Sequence, residues 1–157
     1  MISKRIIGFI FFLIIGATMN AQTKKYFIHL TSDPIKNPSA ALMSIHAASE
    51  ALSQGHEVTY FAAADGVQIF MKDVISNIHA ATKHGGGDSK MSEMAVSKLE
   101  QFSREGGVIH VSEGSFMTYG VTQENASEML IRVENINWSY PKQLIEESAK
   151  ADLVFSY

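Results

Sequence analysis

The sequence predicts an α/β fold: a single-domain three-layer sandwich of flavodoxin-like type, with a mostly parallel sheet and helices on both faces. Short β-rich runs alternate with helical patterns along the chain from residue 22 onward, which is typical of parallel strands joined by crossover helices. The strand-like runs are nearly continuously apolar, as expected for strands covered on both faces. The chain has 157 residues, of which 46% are hydrophobic, and this length suits one core rather than two.

The first half of this fold contains two predicted strands, at residues 26–30 and 58–61. Between them, Asn37 is a good N-cap and Pro38 suits the first position of a helix, while Gly55 is a natural terminator. After the second strand, apolar residues recur at helical spacing over residues 67–78 and predict another amphipathic helix.

The second half continues the alternation. A helix is predicted over residues 91–102 and a strand over 108–111. A loop follows over residues 112–120, with a helical turn within it as the alternative. Thr122 is placed to cap a short helix that runs through residue 130, and Pro141 is placed to open a further helix. A last strand is predicted over residues 151–155.

Residues 1–21 have the order of a secretory signal peptide. A short basic start is followed by ten apolar residues, 6–15, and then by a small polar stretch that ends in Ala21. The apolar run is shorter than the roughly 20 residues that span a bilayer, although an uncleaved membrane anchor is the alternative interpretation. Cleavage would leave residues 22–157 as a domain of 136 residues with a net charge of −5. We therefore expect a periplasmic or secreted protein with no membrane attachment after cleavage.

Composition excludes several chemistries. The chain has no cysteine, which removes disulfides, thiolate nucleophiles and cysteine-ligated metals. Its net charge of −3 argues against a basic face that binds nucleic acid. The glycines at 85–87 lack the residues of a phosphate-binding loop, so we expect them to form a connection between elements. The sequence implies no cofactor.

Functional loops of a parallel sheet lie beyond the carboxyl ends of its strands. This position selects six candidate ligand-binding residues: Ser32, Asp33, Asp65, Gly66, Ser112 and Ser115. His110, near the end of the third predicted strand, is the seventh candidate. For the two serines, a pocket for an anion or a small polar molecule competes with ordinary turn chemistry, which is the commoner role. For Asp65, capping of the next helix is favoured over a role in the pocket, and Gly66 is expected to supply a permissive backbone.

His29 and His110 suggest a different site. If the first and third strands are neighbours, the two imidazoles approach each other and can form an acid–base or metal cluster with Asp33 or Asp65. No HxH, HxxxH or HExxH spacing occurs in the sequence, so we assign no metal ligands. Buried histidines bonded to the backbone are the alternative.

Several short motifs occur in order along the chain: YFIHLTSD at 26–33, GHEV at 55–58, DGV at 65–67, VSEGS at 111–115 and GVT at 120–122. Together they resemble the DsrE/DsrF-like family of small sulfur-relay proteins. The resemblance covers nearly all of the chain after residue 21. It implies the α/β fold, a ligand pocket and assembly into homotrimers or hexamers.

Ser112 and Ser115 stand at the positions that match the family's cysteines. In cysteine-bearing members, the resemblance implies a thiolate that accepts sulfur as a persulfide. A serine hydroxyl has a far higher pKa and forms no persulfide, so this chain is not expected to be a sulfurtransferase of that kind.

Three functional hypotheses follow from the sequence. The leading one is an exported DsrE-like protein without persulfide chemistry, which acts as a homo-oligomeric accessory module or binds a small polar or anionic ligand. The second is a small hydrolase- or metal-type enzyme that uses His29 and His110 with Ser112 and Ser115. The third is a structural subunit that assembles with a related partner that has kept its cysteines.

Overall fold

A computed structural model describes residues 22–81 and 89–157. The predicted signal peptide and the glycines at 85–87 lie outside the described residues. Among those described, no helix is long and apolar enough to span a bilayer.

The fold is built on a parallel sheet with helices on both faces, which confirms the predicted class. The sheet has five strands in the order β4-β3-β2-β1-β5, and every neighbouring pair is parallel. The strands are β1 (Lys25–Leu30), β2 (Glu57–Ala62), β3 (Val108–Ser112), β4 (Ile136–Ser139) and β5 (Leu153–Ser156).

Six α-helices and two 3₁₀ helices connect these strands in the described part of the chain. The α-helices are α1 (Pro38–Ser53), α2 (Lys72–Ile75), α3 (Lys90–Arg104), α4 (Glu113–Thr118), α5 (Ala126–Met129) and α6 (Pro141–Lys150). The 3₁₀ helices are Ala64–Phe70 and Ile78–Ala81. As predicted, Asn37 caps α1 by accepting a hydrogen bond from the amide of Ala40, and Pro38 is the first helical residue.

The main hydrophobic core lies between the sheet and helices α1 and α3. Tyr60 of β2 is at its centre, where its ring packs edge-on against Phe70 and lies 6.4 Å from Phe102 of α3. The buried hydroxyl of Tyr60 shares a hydrogen bond of 2.8 Å with Ser44 of α1. This bond satisfies both polar groups, which would otherwise be costly to bury.

The opposite face of the sheet carries four ring side chains, here called the aromatic patch: Phe27, His29, Phe61 and His110. Neighbouring rings lie 5.6–6.0 Å apart between centroids. Helix α6 lies over this face, where Glu147 and Lys150 interact electrostatically with His110.

Two secondary-structure predictions were wrong. The helix predicted over residues 67–78 is broken into a 3₁₀ helix, a short α2 and a second 3₁₀ turn. Met71 is extended at the first break because it forms an isolated antiparallel bridge with Leu130, and the carbonyl of Phe70 accepts a hydrogen bond from Ile131. The partners in these contacts are distant in sequence, so the helical spacing of apolar residues could not predict them.

The second wrong prediction concerns residues 126–139. The short helix ends at Met129 and is preceded by Asn125 rather than capped by Thr122, whose own amide donates to the Asn125 side chain. Strand β4 then follows, although the sequence did not predict it. Its four residues range from exposed to buried, so they show no uniform apolar run.

Gly66 lies where β1 and the chain after β2 approach most closely. A Cβ atom built on Gly66 would lie 2.3 Å from the carbonyl oxygen of Leu30 and 2.9 Å from its Cγ. The Gly66 amide also donates to the carbonyls of Thr31 and Ala63. Glycine is therefore required at position 66 because the chain passes so close to Leu30. The expected reason, a backbone conformation that other residues rarely adopt, does not apply.

Gly66→Ala is expected to lower the free energy of unfolding by about 3 kcal/mol, because the new methyl group would overlap backbone atoms that cannot move aside. Gly114→Ala is the matched control, since its Cβ would meet no atom within 4 Å, and alanine is favoured over glycine in a helix. Denaturant unfolding of both variants tests this. Equal effects of the two substitutions would contradict the close-approach account.

Candidate functional site

The carboxyl ends of β2 and β3 border a cavity of about 340 Å³. Three of the seven predicted residues line it: Asp65, Ser112 and Ser115. The remaining wall comes from Ala64, Gly114, Thr118, Tyr140 and Pro141. The structure thus brings together the residues that follow two neighbouring strands, as the position of loops in a parallel sheet predicts.

A chain of hydrogen bonds, here called the hydroxyl chain, runs along this cavity. The amide of Ala64 donates to Ser115 Oγ at 2.9 Å, and Ser115 Oγ donates to Ser112 Oγ at 2.9 Å. Ser112 Oγ also accepts from the amide of Ser115 at 3.3 Å. With these acceptor sites in use, the Ser112 hydroxyl keeps its own proton to donate, and no described residue accepts it.

Local backbone geometry produces the hydroxyl chain. Ser112 ends β3 in an extended conformation and serves as the N-cap of α4, a position at which serine is among the favoured residues. Ala64 follows β2 with a φ of 48°, in the left-handed region that residues other than glycine rarely occupy. The hydrogen bond to Ser115 holds Ala64 there and ties the end of β2 to the start of α4.

Asp65 is held by a tyrosine rather than by a helix cap, so the favoured sequence interpretation was wrong. The Tyr119 hydroxyl donates to Asp65 Oδ1 at 2.5 Å, and the Gln68 side-chain amide donates to the same hydroxyl at 3.1 Å. The following helix has Ala63 as its N-cap and no side-chain cap. The hydrogen bond to Asp65 raises the pKa of Tyr119 to about 12, because ionised phenolate and carboxylate would repel each other.

Ser32 and Asp33 lie beyond β1 and do not line this cavity. The amide of Ser32 donates to the carbonyl of Tyr157. Asp33 Oδ1 accepts from the amides of Ile35 and Lys36, and its other oxygen pairs with the Lys36 ammonium at 3.0 Å. Partial burial raises the Asp33 pKa, but these partners outweigh it and leave the pKa below its ordinary value. Asp33 therefore shapes the turn before α1.

His110 lies within the aromatic patch instead of opening into the cavity. Its Nδ1 shares a hydrogen bond of 2.8 Å with Ser139 Oγ, and its ring stacks on Phe61 with an angle of 4° between the planes. Burial is the main cause that lowers the pKa of His110, while Glu147 raises it and Lys150 lowers it.

His29 and His110 do not approach each other, which corrects the expectation that β1 and β3 are neighbours. Strand β2 lies between them, and the register aligns His29 with Phe61 and Phe61 with His110. Two strand spacings of about 4.8 Å separate the histidines, and the Phe61 ring fills the gap. Across residues 22–81 and 89–157, no group of three or more histidine, aspartate and glutamate residues is arranged to hold a metal ion.

The hydroxyl chain also lacks the base that a serine nucleophile needs. Ser115 gives its proton to Ser112, and among the described residues neither hydroxyl is bonded to a histidine or carboxylate. A nucleophilic serine is normally activated by an adjacent base. This geometry does not favour the enzyme alternative built on His29, His110 and the two serines.

The sequence analysis did not select five of the lining residues, nor Tyr119 beside them; Ala64, Tyr119 and Tyr140 are the most informative of these. The sequence predicted that Ala64 follows a strand, but it gave no indication of the left-handed backbone conformation of this residue. Tyr119 meets Asp65 across 54 residues of sequence, and the Tyr140 hydroxyl bonds to Glu113, which raises its pKa. Such pairs follow from the order of the strands, which local patterns do not specify.

The stability of the protein is expected to decrease as the pH falls from about 7 to about 5. Burial lowers the pKa of His29 and of His110 below the ordinary 6.5, so the unfolded chain binds protons that the folded chain resists. Denaturant unfolding at a series of pH values measures this loss. His29→Gln should reduce the loss of stability over that pH range. A loss of the same size in this variant would contradict the role of the His29 pKa.

Asp65→Ala is expected to lower the pKa of Tyr119 from about 12 toward its ordinary value of about 10, since the charged acceptor is removed. Carbon-13 NMR of the tyrosine ring carbons measures this titration, with Tyr119→Phe assigning the signal. Asp73→Ala, which removes an exposed carboxylate elsewhere, is the control. Equal titration of Tyr119 in both aspartate variants would show that the hydrogen bond does not control its pKa.

Comparison with known proteins agrees with the fold and the motifs. The crystal structure of the YchN protein from E. coli is similar to this chain with a TM-score of 0.58 and 12% sequence identity, over 86% of this chain and 99% of that one. A comparison with curated proteins gave no match. The model of the DsrE/DsrF-like family matches residues 24–157. This cysteine-free chain therefore belongs to the DsrE/DsrF-like family.

Proposed function

We propose that this chain is an exported, oligomeric DsrE-like accessory protein that binds a small polar ligand at the hydroxyl chain and carries no sulfur. The absence of cysteine from the sequence removes the thiolate on which a persulfide forms. Export is supported by the composition of residues 1–21, whose basic start and short apolar run are those of a signal peptide.

The observation that carries the ligand proposal is the open end of the hydroxyl chain. The Ala64 amide polarises Ser115, and Ser115 in turn polarises Ser112. Linked hydrogen bonds strengthen one another, so the unused Ser112 proton is a good donor toward the cavity. The volume of about 340 Å³ lies at the small end of the range for ligand sites.

The charges around the cavity favour a neutral polar ligand over an anion. Asp65 lines the cavity, Glu113 bonds to the lining Tyr140, and no cation is among the described lining residues. A carboxylate repels an anion at this range. Of the two ligand classes expected from the sequence, we therefore propose the neutral one, such as a small polyol, with Asp65 and Ser112 supplying an acceptor and a donor.

Amide NMR titration tests the ligand proposal. Erythritol is expected to shift the signals of Ala64, Gly114 and Ser115, whereas sulfate is expected to leave them unchanged. Ser112→Ala should weaken the affinity for erythritol by about tenfold, which corresponds to the loss of one good hydrogen bond. Ser53→Ala removes a hydroxyl that is exposed and bonded only within α1, so it is the matched control. A response to sulfate alone, or none to either compound, would refute the proposed ligand class.

We also propose that the chain forms a homotrimer or hexamer through the surface made by β5 and α6. β5 is the last strand in the sheet order, and all four of its residues are exposed. Val154 and Phe155 are 56% and 43% exposed, and Ile145 of α6 is 67% exposed. An apolar strand at an open sheet edge is a ready surface for pairing, and a second copy of this chain is the occupant we propose.

Analytical ultracentrifugation of residues 22–157 tests the assembly. We expect a mass of three or six chains for the natural sequence and a shift to monomer in the double variant I145E/V154E, because two charges would be buried in the interface. Met43→Glu places a charge on an exposed apolar residue of α1 and serves as the control. A monomeric natural sequence, or a double variant that assembles normally, would contradict this interface.

A further inference from the structure

A second cavity, here called the β4-side cavity, has a volume of about 710 Å³ and lies apart from the hydroxyl chain. It is an open cavity bordered by the end of α3, by α5, by residues 130–134 and by β4. None of its lining residues lines the smaller cavity. Its volume is within the range that holds drug-sized molecules.

The wall formed by β4 is apolar and aromatic. Ile136 and Trp138 are half-buried there, beside the buried Leu130. The Trp138 ring packs against Phe116 with 5.4 Å between centroids, so it is held in place while it contributes to the wall. This surface suits an apolar body of similar size.

The opening carries two cations and two anions. Arg104 and Glu100 face each other at 4.0 Å, which is a weak contact between groups that solvent reaches. Arg132 and Glu134 also line the cavity, and their side chains form no ion pair or hydrogen bond with any other described residue. The opening therefore offers a cation and an anion that are free to pair with a carboxylate and an ammonium of one bound molecule.

The walls are fixed by contacts outside the cavity. The amide of Ile131 donates to Phe70, and the amide of Glu134 donates to Ser103 Oγ at 3.1 Å. The Lys72 ammonium donates to the carbonyls of Ser127 and Glu128 at 3.0 and 2.7 Å, which anchors α5. A preformed site of this kind loses little free energy to ordering when it binds.

We propose that the β4-side cavity binds a short apolar peptide with free termini. The apolar side chains lie against Trp138 and Ile136, the carboxylate pairs with Arg132, and the ammonium pairs with Glu134. The volume favours a peptide of two or three residues over a single amino acid. This proposal does not depend on the ligand proposed for the hydroxyl chain.

Trp138 is the only tryptophan in the sequence and lines this cavity, so its fluorescence reports on binding there. We propose titrating residues 22–157 with the dipeptide leucyl-leucine and following that fluorescence. Arg132→Gln should weaken binding by about tenfold, as expected for a lost charge-assisted hydrogen bond. Lys142→Gln removes one positive charge from α6 and is the matched control, with thermal unfolding to verify that both variants are folded.

Two modified dipeptides test the recognition of the termini. N-acetyl-leucyl-leucine lacks the ammonium and leucyl-leucine amide lacks the carboxylate, so each should bind about tenfold more weakly than the free dipeptide. Erythritol, the probe for the hydroxyl chain, should leave the leucyl-leucine titration unchanged, which separates this cavity from the hydroxyl chain. Absence of a fluorescence change at millimolar dipeptide, or equal affinity for the three dipeptides, would overturn the proposal.

Discussion

The candidate site depends on one set of contacts, the hydroxyl chain that joins the end of β2 to the start of α4. Ser115 is its central member, since it accepts from the Ala64 amide and donates to Ser112. This arrangement holds Ala64 in the left-handed region, and the chain then turns so that Asp65 meets Tyr119 and Gly66 passes against Leu30. The cavity, its charges and the packing of β1 against the next loop all follow from that turn.

Serine in place of cysteine changes what this position can do. A thiolate would act as a nucleophile and a sulfur carrier, whereas the two hydroxyls are used in hydrogen bonds to the backbone and to each other. Within the described chain no base is bonded to them. The same location at the carboxyl edge of the sheet is therefore better suited to holding a polar molecule than to transferring a group.

Much of the fold could be predicted from the sequence because its signals are local. The cap at Asn37, the proline at position 38 and the apolar runs of β1 to β3 all act within a few residues, and each appears in the structure. Strand β4 and the break at Met71 were not predicted because they depend on partners far along the chain, Val108–Ser112 and Leu130. Strand order is likewise a tertiary property, which is why the pairing of His29 with His110 was wrong.

Prediction of the site had the same limit. The rule that loops beyond strand ends carry function selected Asp65, Ser112 and Ser115, which do line one cavity. The same rule selected Ser32 and Asp33, whose polar groups instead stabilise the turn before α1 and its contact with Tyr157. A strand end indicates the correct edge of the sheet, but only the hydrogen bonds reveal which side chains remain available to a ligand.

Amide hydrogen exchange at Ala64 tests the hydroxyl chain most directly. Ala64 is exposed, and its amide has one hydrogen-bond acceptor among the described residues, Ser115 Oγ. We predict that this amide exchanges slowly in the natural protein and at close to the rate of an unprotected amide in Ser115→Ala, while the amide of Ala63, which donates to Leu30, stays protected in both. Rapid exchange at Ala64 in the natural protein, or unchanged protection after the substitution, would contradict the account.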